Sequence, residues 1–212
     1  MADLVIYGIP QSTYVRSARM ACIEKGVPYT LEPVMPSSDT IRKLHPFSRV
    51  PVMKHGDFTL YETSAIMRYV DEAFDGPPLV PKEPKRRALM EQWISTINCY
   101  FDGPMIRRLV LPYAFPSGPG GKADRAVIDK SVPEVRKQIQ LIDEAVAEGP
   151  FLLGADLTLA DLLLAPIMFY VSQTPEGGAM IKDARNIQRS GAAIGARKSY
   201  LETMPPPPPK HG

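Results

Sequence analysis

The sequence predicts an α/β domain followed by an all-helical domain. Residues 1–76 alternate short apolar runs with segments of helical periodicity, in the order β-α-β-(α)-β-β-α. Residues 77–84 are rich in proline and indicate a stiff, extended linker. Residues 85–204 carry apolar side chains at helical spacing, and residues 205–212 form a polyproline tail. A chain of 212 residues is long enough to bury a core in each of two such domains.

The composition is that of a globular protein whose charges nearly cancel. Lys and Arg number 25 and Asp and Glu number 23, a formal net charge of +2. This balance favours neither nucleic acid nor a membrane as a partner. The most apolar run, residues 157–171, contains Asp161 and Pro166 and is too short to span a bilayer. Two distant cysteines and a first segment without a secretory pattern predict a reduced, cytoplasmic protein.

The first candidate site lies within Leu4–Arg19, where a strand, a Gly-Ile-Pro turn and a helix follow one another. Ser12 or Thr13 occupies the N-cap position, where a hydroxyl satisfies an otherwise unpaired helix amide. A helix N-terminus also carries partial positive charge, to which Arg16 and Arg19 add full charges. This arrangement suits a bound anion or thiolate, although an ordinary capped helix with solvated arginines has the same pattern.

The remainder of the first domain contains a second candidate feature, Val50-Pro51. Residues 27–34 predict a second strand, and two further strands form a hairpin that ends before a helix opened by Glu62-Thr63. The proline either simply starts the third strand or forms a cis peptide that leaves the Val50 backbone free to pair with an extended ligand. The residues alone do not distinguish these two possibilities.

Two local motifs organise the second domain. The segment Leu157–Leu162 predicts a capping box, with Thr158 as N-cap and Asp161 three residues later. We interpret it as a folding element without a chemical role. Gly103-Pro104 predicts a kink or an end in the preceding helix, because proline lacks the amide that the helix needs.

Three motifs of the first domain carry a family resemblance. They are Y-G-x-P-x-S-T at Tyr7–Thr13, V-P at Val50-Pro51, and E-[ST]-x-A-I at Glu62–Ile66, in this order. Together they resemble the glutathione-binding domain of the soluble glutathione S-transferases, which has a thioredoxin-like fold. The run F-L-x-G-x-x-L-T-x-A-D at Phe151–Asp161 resembles the helical domain of the same family. The resemblance therefore covers nearly the whole chain.

The resemblance implies how glutathione is bound. Val50-Pro51 is expected to be cis and to pair with the cysteinyl backbone of the tripeptide. Glu62 and Thr63 are expected to hold its γ-glutamyl end. The Glu62 carboxylate suits the ammonium group of that end, and the helix N-terminus with the Thr63 hydroxyl suits its carboxylate. Many members contact the glycyl carboxylate with a His-Lys pair that residues 34–44 lack. Arg49 is the available substitute.

Ser12 resembles the catalytic serine of the theta, phi and related classes. Its hydroxyl would donate a hydrogen bond to the glutathione sulfur and favour the thiolate. Lowering a thiol pKa of about 8.5 by roughly two units corresponds to about 2.7 kcal/mol, within reach of one charge-assisted hydrogen bond and a helix dipole. Arg16 would add electrostatic support. Tyr7 is the main competitor, because other classes place a catalytic tyrosine at the strand end; Thr13 and Tyr14 are the other rivals.

The family also implies an electrophile pocket between the two domains and a homodimer. Phe47 falls where some classes place an aromatic side chain that inserts into the partner subunit, and Asp102 is expected to reach a glutathione bound there. The candidate pocket residues are Ile9, Tyr14, Tyr100, Met105, Arg108 and Tyr113.

These observations predict a cytoplasmic detoxification enzyme that transfers glutathione to small hydrophobic electrophiles, with glutathione as co-substrate and no metal. Thioredoxin-like redox enzymes need Cys-x-x-Cys at the first turn, where this chain has Ser12 and Val15, so disulfide exchange is not expected. The alternatives are a glutathione-dependent isomerase, dehalogenase or ether-cleaving enzyme, or a non-catalytic glutathione-binding or regulatory relative. The intact set of binding residues argues against the last of these.

Overall fold

The computed structural model describes residues 3–206. These residues divide into two compact units. The first contains the described residues up to Val80 together with those from Gly195 onward, and the second spans Pro81–Ile194. Within the described range, no helix is long and apolar enough to cross a membrane.

The first unit is built on a mixed four-stranded sheet with the strand order β2-β1-β3-β4. Strand β1 pairs in parallel with β2 and antiparallel with β3, and β3 forms a hairpin with β4. The predicted order of strands and helices is thus confirmed. The elements are β1 (Leu4–Tyr7), α1 (Thr13–Lys25), β2 (Thr30–Glu32), α2 (Asp39–Leu44), β3 (Val52–His55), β4 (Phe58–Tyr61) and α3 (Thr63–Ala73).

The core of the first unit lies between the sheet and the helices α1 and α3. Leu4 and Ile6 of β1 alternate inward, as expected for a strand that buries one face more fully than the other. Cys22 faces the same core from α1, and burial raises its pKa to about 12. Its thiol therefore stays protonated, and Cys22 is a packing residue of this core.

The second unit is helical. Its π-helical segment continues α4 directly, so the two form one long helix. The helices are α4 (Pro84–Thr96), the π-helical segment (Ile97–Val110), α5 (Leu111–Ala114), α6 (Arg125–Ala145), α7 (Leu159–Ser172), α8 (Pro175–Asp183) and α9 (Arg185–Gly195), with a short 3₁₀ turn at Pro119–Gly121.

The helix does not end at Gly103-Pro104, so of the two predicted outcomes, a kink or an end, the end is wrong. It continues to Val110 in π-helical form, with Pro104 buried inside it. A π-helix pairs each amide one residue further back, and this wider turn accommodates the proline's missing N–H. The neighbouring side chains of Phe101, Met105 and Leu109 remain in the core.

The predicted capping box at the start of α7 is confirmed. The Asp161 carboxylate accepts hydrogen bonds from the Thr158 amide and hydroxyl, both at 2.8 Å, and from the Leu152 amide at 2.7 Å. Burial raises the pKa of Asp161, and these hydrogen bonds oppose that rise. This site is closed: the carboxylate is buried and its oxygens are used within the protein.

The C-terminal part of the chain belongs to the first unit, whereas the predicted helical domain extended to residue 204. Helix α10 (Lys198–Glu202) packs against α1. Arg197, just before it, forms an ion pair with Glu24 of α1, with hydrogen bonds at 2.7 and 2.5 Å. Most of the predicted polyproline tail, residues 207–212, lies outside the described residues.

Candidate active site

The sheet register brings three sequence motifs to one edge. Tyr7, at the end of β1, lies opposite Val52 at the start of β3, and Val52 lies opposite Tyr61 at the end of β4. The segments that follow β1, precede β3 and follow β4 therefore leave the sheet at the same place. Those segments carry Ser12, Val50-Pro51 and Glu62-Thr63.

Gly8 allows the turn after β1 to pack directly on Val50. Its φ of 152° lies outside the range that other residues adopt readily. A Cβ at this position would overlap the Val15 side chain and lie 3.1 Å from Val50 Cβ. Only glycine fits here, and the close approach places the start of α1 beside Val50.

Ser12 is the N-cap of α1. Its Oγ accepts a hydrogen bond from the Val15 amide at 3.4 Å, and its carbonyl accepts one from the Arg16 amide at 3.0 Å. Within residues 3–206 the Ser12 hydroxyl proton has no acceptor, so this partly exposed group can donate to a ligand. The rival Thr13 is buried, which leaves its hydroxyl poorly placed for the same task.

Arg16 is fully buried, with 0% of its surface exposed. Its Nη2 lies 3.5 Å from both the Tyr200 carbonyl oxygen and the Met204 sulfur, and the guanidinium carbon lies 5.0 Å from the centre of the Tyr200 ring. Arg19 donates to the Tyr29 hydroxyl at 3.0 Å and to the Glu202 carbonyl at 3.3 Å. Neither arginine is simply solvated, so that part of the alternative interpretation is wrong.

The Val50-Pro51 peptide is cis, as the family resemblance implies. Pro51 is buried and Val50 is half-buried at the start of β3. Arg49, immediately before them, is exposed, and its expected contact with the glycyl carboxylate stays a prediction.

His45 was missed by the sequence reasoning. Its Nδ1 accepts a hydrogen bond from the Phe47 amide at 3.0 Å, and its ring packs 4.6 Å from that of Tyr61. Burial lowers the pKa of His45, Glu62 opposes this shift and Arg49 adds to it. The histidine thus orders the turn before Val50. The sequence around His45 shows only a polar residue at the end of the short helix α2, where a polar side chain needs a hydrogen-bond partner.

The start of α3 is an open helix N-terminus. Glu62 precedes it with a φ of 72°, and no side chain caps the helix. Glu62 is exposed and Thr63 is buried, with 6% of its surface exposed. The first N–H groups of α3 can therefore receive a ligand carboxylate, while the Glu62 carboxylate is free to face an ammonium group.

Comparisons with known proteins identify the family. A family model for the glutathione S-transferase N-terminal domain matches residues 6–78, and one for the C-terminal domain matches residues 101–189. Glutathione S-transferase F14 of Arabidopsis thaliana is 30% identical over 203 residues, covering 89% of this chain and 78% of the relative. The chain belongs to the glutathione S-transferase family. Glutathione S-transferase F9 of the same plant is 28% identical and covers 95% of this chain and 96% of the relative.

Solved structures of the family agree. Poplar glutathione transferase F1 superposes with a TM-score of 0.85 at 28% identity, covering 96% of this chain and 97% of that one. A theta-class glutathione S-transferase from Xanthomonas axonopodis pv. citri, solved with glutathione bound, gives 0.81 at 26% identity and the same coverage. The predicted thioredoxin-like first domain, helical second domain and transferase class are confirmed. The relatives' names favour a transferase over the isomerase, dehalogenase, ether-cleaving and non-catalytic alternatives.

The residues of the second unit that are expected to line the electrophile pocket differ in exposure and in their contacts within the protein. Tyr100 is 65% exposed, whereas Met105 is fully buried in the core. Arg108 pairs with Glu134 at 2.6 Å. The Tyr113 hydroxyl donates to Glu176 at 2.9 Å, and its pKa is raised by burial and by that carboxylate.

Met105 is thus a core residue, which corrects its expected place in a pocket lining. Ile9 and Tyr14 of the first unit are half-buried in and just after the turn that follows β1. For the pocket residues other than Met105, the family role stays a prediction.

The two residues expected at a subunit interface also differ. Phe47 is 73% exposed, as a side chain that inserts into a partner must be before assembly. Asp102 is nearly buried and pairs with Arg107 at 2.9 Å. Its carboxylate already has a partner within its own chain, so its expected contact with a second subunit stays a prediction.

Proposed function

We propose that this chain binds glutathione at the sheet edge, holds it as the thiolate through Ser12, and conjugates it to small hydrophobic electrophiles. The observation that carries the proposal is the Tyr7–Val52–Tyr61 register, which joins three binding motifs at one edge. The available Ser12 hydroxyl proton and the uncapped start of α3 provide the two groups that a thiolate and a carboxylate need.

Each part of glutathione has a chemically matched partner in this proposal. The Val50 backbone pairs with the cysteinyl backbone, as one strand edge pairs with another. Glu62 faces the γ-glutamyl ammonium, and Thr63 with the first amides of α3 binds the γ-glutamyl carboxylate. Arg49 binds the glycyl carboxylate at the exposed end of the site.

The reaction needs no proton-abstracting triad. The bound thiol releases its proton to solvent, and the Ser12 hydroxyl donates a hydrogen bond to the sulfur, which favours the thiolate. The buried positive charge of Arg16 and the α1 N-terminus act in the same direction. The sulfur electron pair then forms a C–S bond with an electrophilic carbon. In a substitution the leaving group departs with its electron pair. In an addition the electron pair of the broken π bond moves to the neighbouring atom, which takes a proton.

At the level of the whole protein, we propose a cytoplasmic homodimer. Support comes from the exposed Phe47 ring and from the two free cysteines, which form no disulfide with each other.

Two experiments test the function directly: calorimetry measures glutathione binding, and an activity assay with a panel of electrophiles measures conjugation. The panel contains a nitro-activated aryl halide for substitution and an isothiocyanate for addition. We expect binding of glutathione and conjugation of at least one electrophile in a glutathione-dependent manner. Failure to bind glutathione, or binding without conjugation of any electrophile, would contradict the proposal.

A matched pair of ligands tests the glycyl contact. The wild type should prefer glutathione to its glycyl monoethyl ester, because the ester lacks the charge that Arg49 recognises. Arg49→Gln should bind both with similar affinity. An unchanged preference in that variant would remove Arg49 from the site and leave the rest of the proposal intact.

A further inference from the structure

The C-terminal segment, residues 197–204, is attached to α1 by three side chains of that helix. Arg16 contacts Tyr200 and Met204, and Arg19 donates to the Glu202 carbonyl. About two turns after Arg16, Glu24 accepts hydrogen bonds from Arg197 and Ser199. Burial raises the pKa of Glu24, but these hydrogen bonds outweigh it and hold the pKa below its usual value.

Arg16 joins this attachment to Ser12. Its backbone amide donates to the Ser12 carbonyl at 3.0 Å, and its side chain is held by the C-terminal segment. The same residue is therefore fixed at its backbone by the N-cap and at its guanidinium by a segment 184 positions later in the chain. Arg16 lies much nearer the N-cap than Glu24, the other end of this attachment.

The environment of the Arg16 guanidinium depends on Tyr200. A buried cation needs compensating partners, and an aromatic face 5.0 Å from the guanidinium carbon supplies one. Without that face, the guanidinium would move toward water and pull on the first turn of α1. The Ser12 hydroxyl and the first amides of the helix would then lose their fixed positions.

We infer that Tyr200 is a positioning residue for Ser12, acting through Arg16. The inference rests on the proposed function, because it concerns the thiolate that Ser12 is proposed to stabilise. Tyr200 itself touches neither substrate nor reacting atoms in this account. It sets the position and electrostatics of the group that does.

Tyr200→Leu tests this inference, because leucine keeps an apolar side chain but removes the π face. The main readout is the pKa of the bound glutathione thiol, measured from thiolate absorbance against pH. We expect a rise of about half a unit and a three- to tenfold loss of kcat/KM at neutral pH, the size expected for one lost cation–π contact. Tyr200→Phe keeps the ring and should restore wild-type values.

Arg197→Met is the matched control. It breaks the attachment of the same segment at Glu24, far from the N-cap, and should lower the melting temperature without moving the thiol pKa. If Tyr200→Leu does not fold, Tyr200→Met replaces it, since methionine fills irregular space without an aromatic face. An unchanged thiol pKa in the leucine or methionine variant would overturn the inference. So would an equal shift in Arg197→Met, because the segment would then act only through general stability.

The Ser12→Ala variant separates this inference from the proposed function. If Ser12→Ala raises the thiol pKa and the Tyr200 variants do not, the proposed function stands and the inference is wrong. If Ser12→Ala leaves the thiol pKa unchanged, the proposed function fails first, and the inference fails with it.

Discussion

The N-termini of α1 and α7 both carry a hydroxyl residue at the N-cap, but the two caps have different functions. At α7, the Asp161 carboxylate is buried and accepts three hydrogen bonds of 2.7–2.8 Å from Thr158 and Leu152. At α1, the Ser12 hydroxyl is partly exposed and accepts one long hydrogen bond of 3.4 Å. One N-terminus is saturated by its own chain, and the other keeps a donor for a ligand.

This difference shows how a structural cap is distinguished from a binding one. Both sites have a hydroxyl residue at a helix start, and the sequence patterns look alike. What separates them is whether the capping groups have spare hydrogen-bonding capacity at an accessible position. By that criterion α3 belongs with α1, because Glu62 provides no side-chain cap and is exposed.

The largest expected effect is on stability, at the closed site. Asp161→Asn replaces one acceptor oxygen by an NH₂ group and leaves buried donors facing each other or unpaired. We expect a loss of about 2–4 kcal/mol and a fall in melting temperature of roughly 5–10 °C. Activity per folded molecule should stay unchanged, because this cap has no chemical role. A large loss of kcat in the folded variant would break the comparison.

Ser12→Ala should show the opposite pattern. Losing a hydrogen bond to a charged sulfur should lower kcat/KM roughly 10- to 100-fold, while loss of the weak cap costs about 1 kcal/mol or less. Affinity for glutathione should change by no more than several-fold.

Ser38→Ala is the matched control, because Ser38 caps α2 through the Ile41 amide at 3.3 Å. It should lose similar stability and retain activity. If it loses as much activity as Ser12→Ala does, the effect at Ser12 is only structural.

A smaller effect is expected at α3. Glu62→Gln removes the charge proposed to face the γ-glutamyl ammonium, and the KM for glutathione should rise about fivefold with kcat nearly unchanged, as for an exposed ion pair of about 1 kcal/mol. Asp57→Asn removes another exposed carboxylate of the same unit and should have no effect. An equal rise of the KM for glutathione in both variants would show that the affinity depends only on the net charge of the protein and not on a contact with Glu62.

The smallest effect is expected for Tyr7→Phe, since this account gives the Tyr7 hydroxyl no role. Steady-state kinetics should give kcat and KM within about twofold of the wild type, well under 1 kcal/mol. A crippled Tyr7→Phe beside a nearly normal Ser12→Ala would reassign the catalytic hydroxyl to the strand end.

The sequence was sufficient where a feature depends on neighbouring residues. The strand and helix order, the Thr158–Asp161 box and the Ser12 cap all follow from patterns within a few positions, and the structure contains each of them. The meeting of Ser12, Val50 and Glu62 needs one further fact, the register of three strands, which a correct topology supplies.

Features that depend on distant packing were out of reach. Nothing near Arg16 in the sequence indicates a partner at Tyr200, so the predicted boundary at residue 204 groups α10 with the helical domain, whereas the structure groups it with the first unit. Met105 was expected in the pocket on the family resemblance alone, which does not reveal that the core covers this face of the helix. The continuation of the helix through Pro104 was not predicted for a related reason. Tertiary packing overrides the local penalty that proline imposes on a helix.

Titration of the thiol in bound glutathione tests the central claim most directly. In the wild-type complex, the thiol pKa should lie about two units below its free value near 8.5, and Ser12→Ala should reverse most of that lowering, leaving the part that the α1 N-terminus and Arg16 supply. A wild-type complex whose bound thiol ionises no more readily than free glutathione would contradict the account.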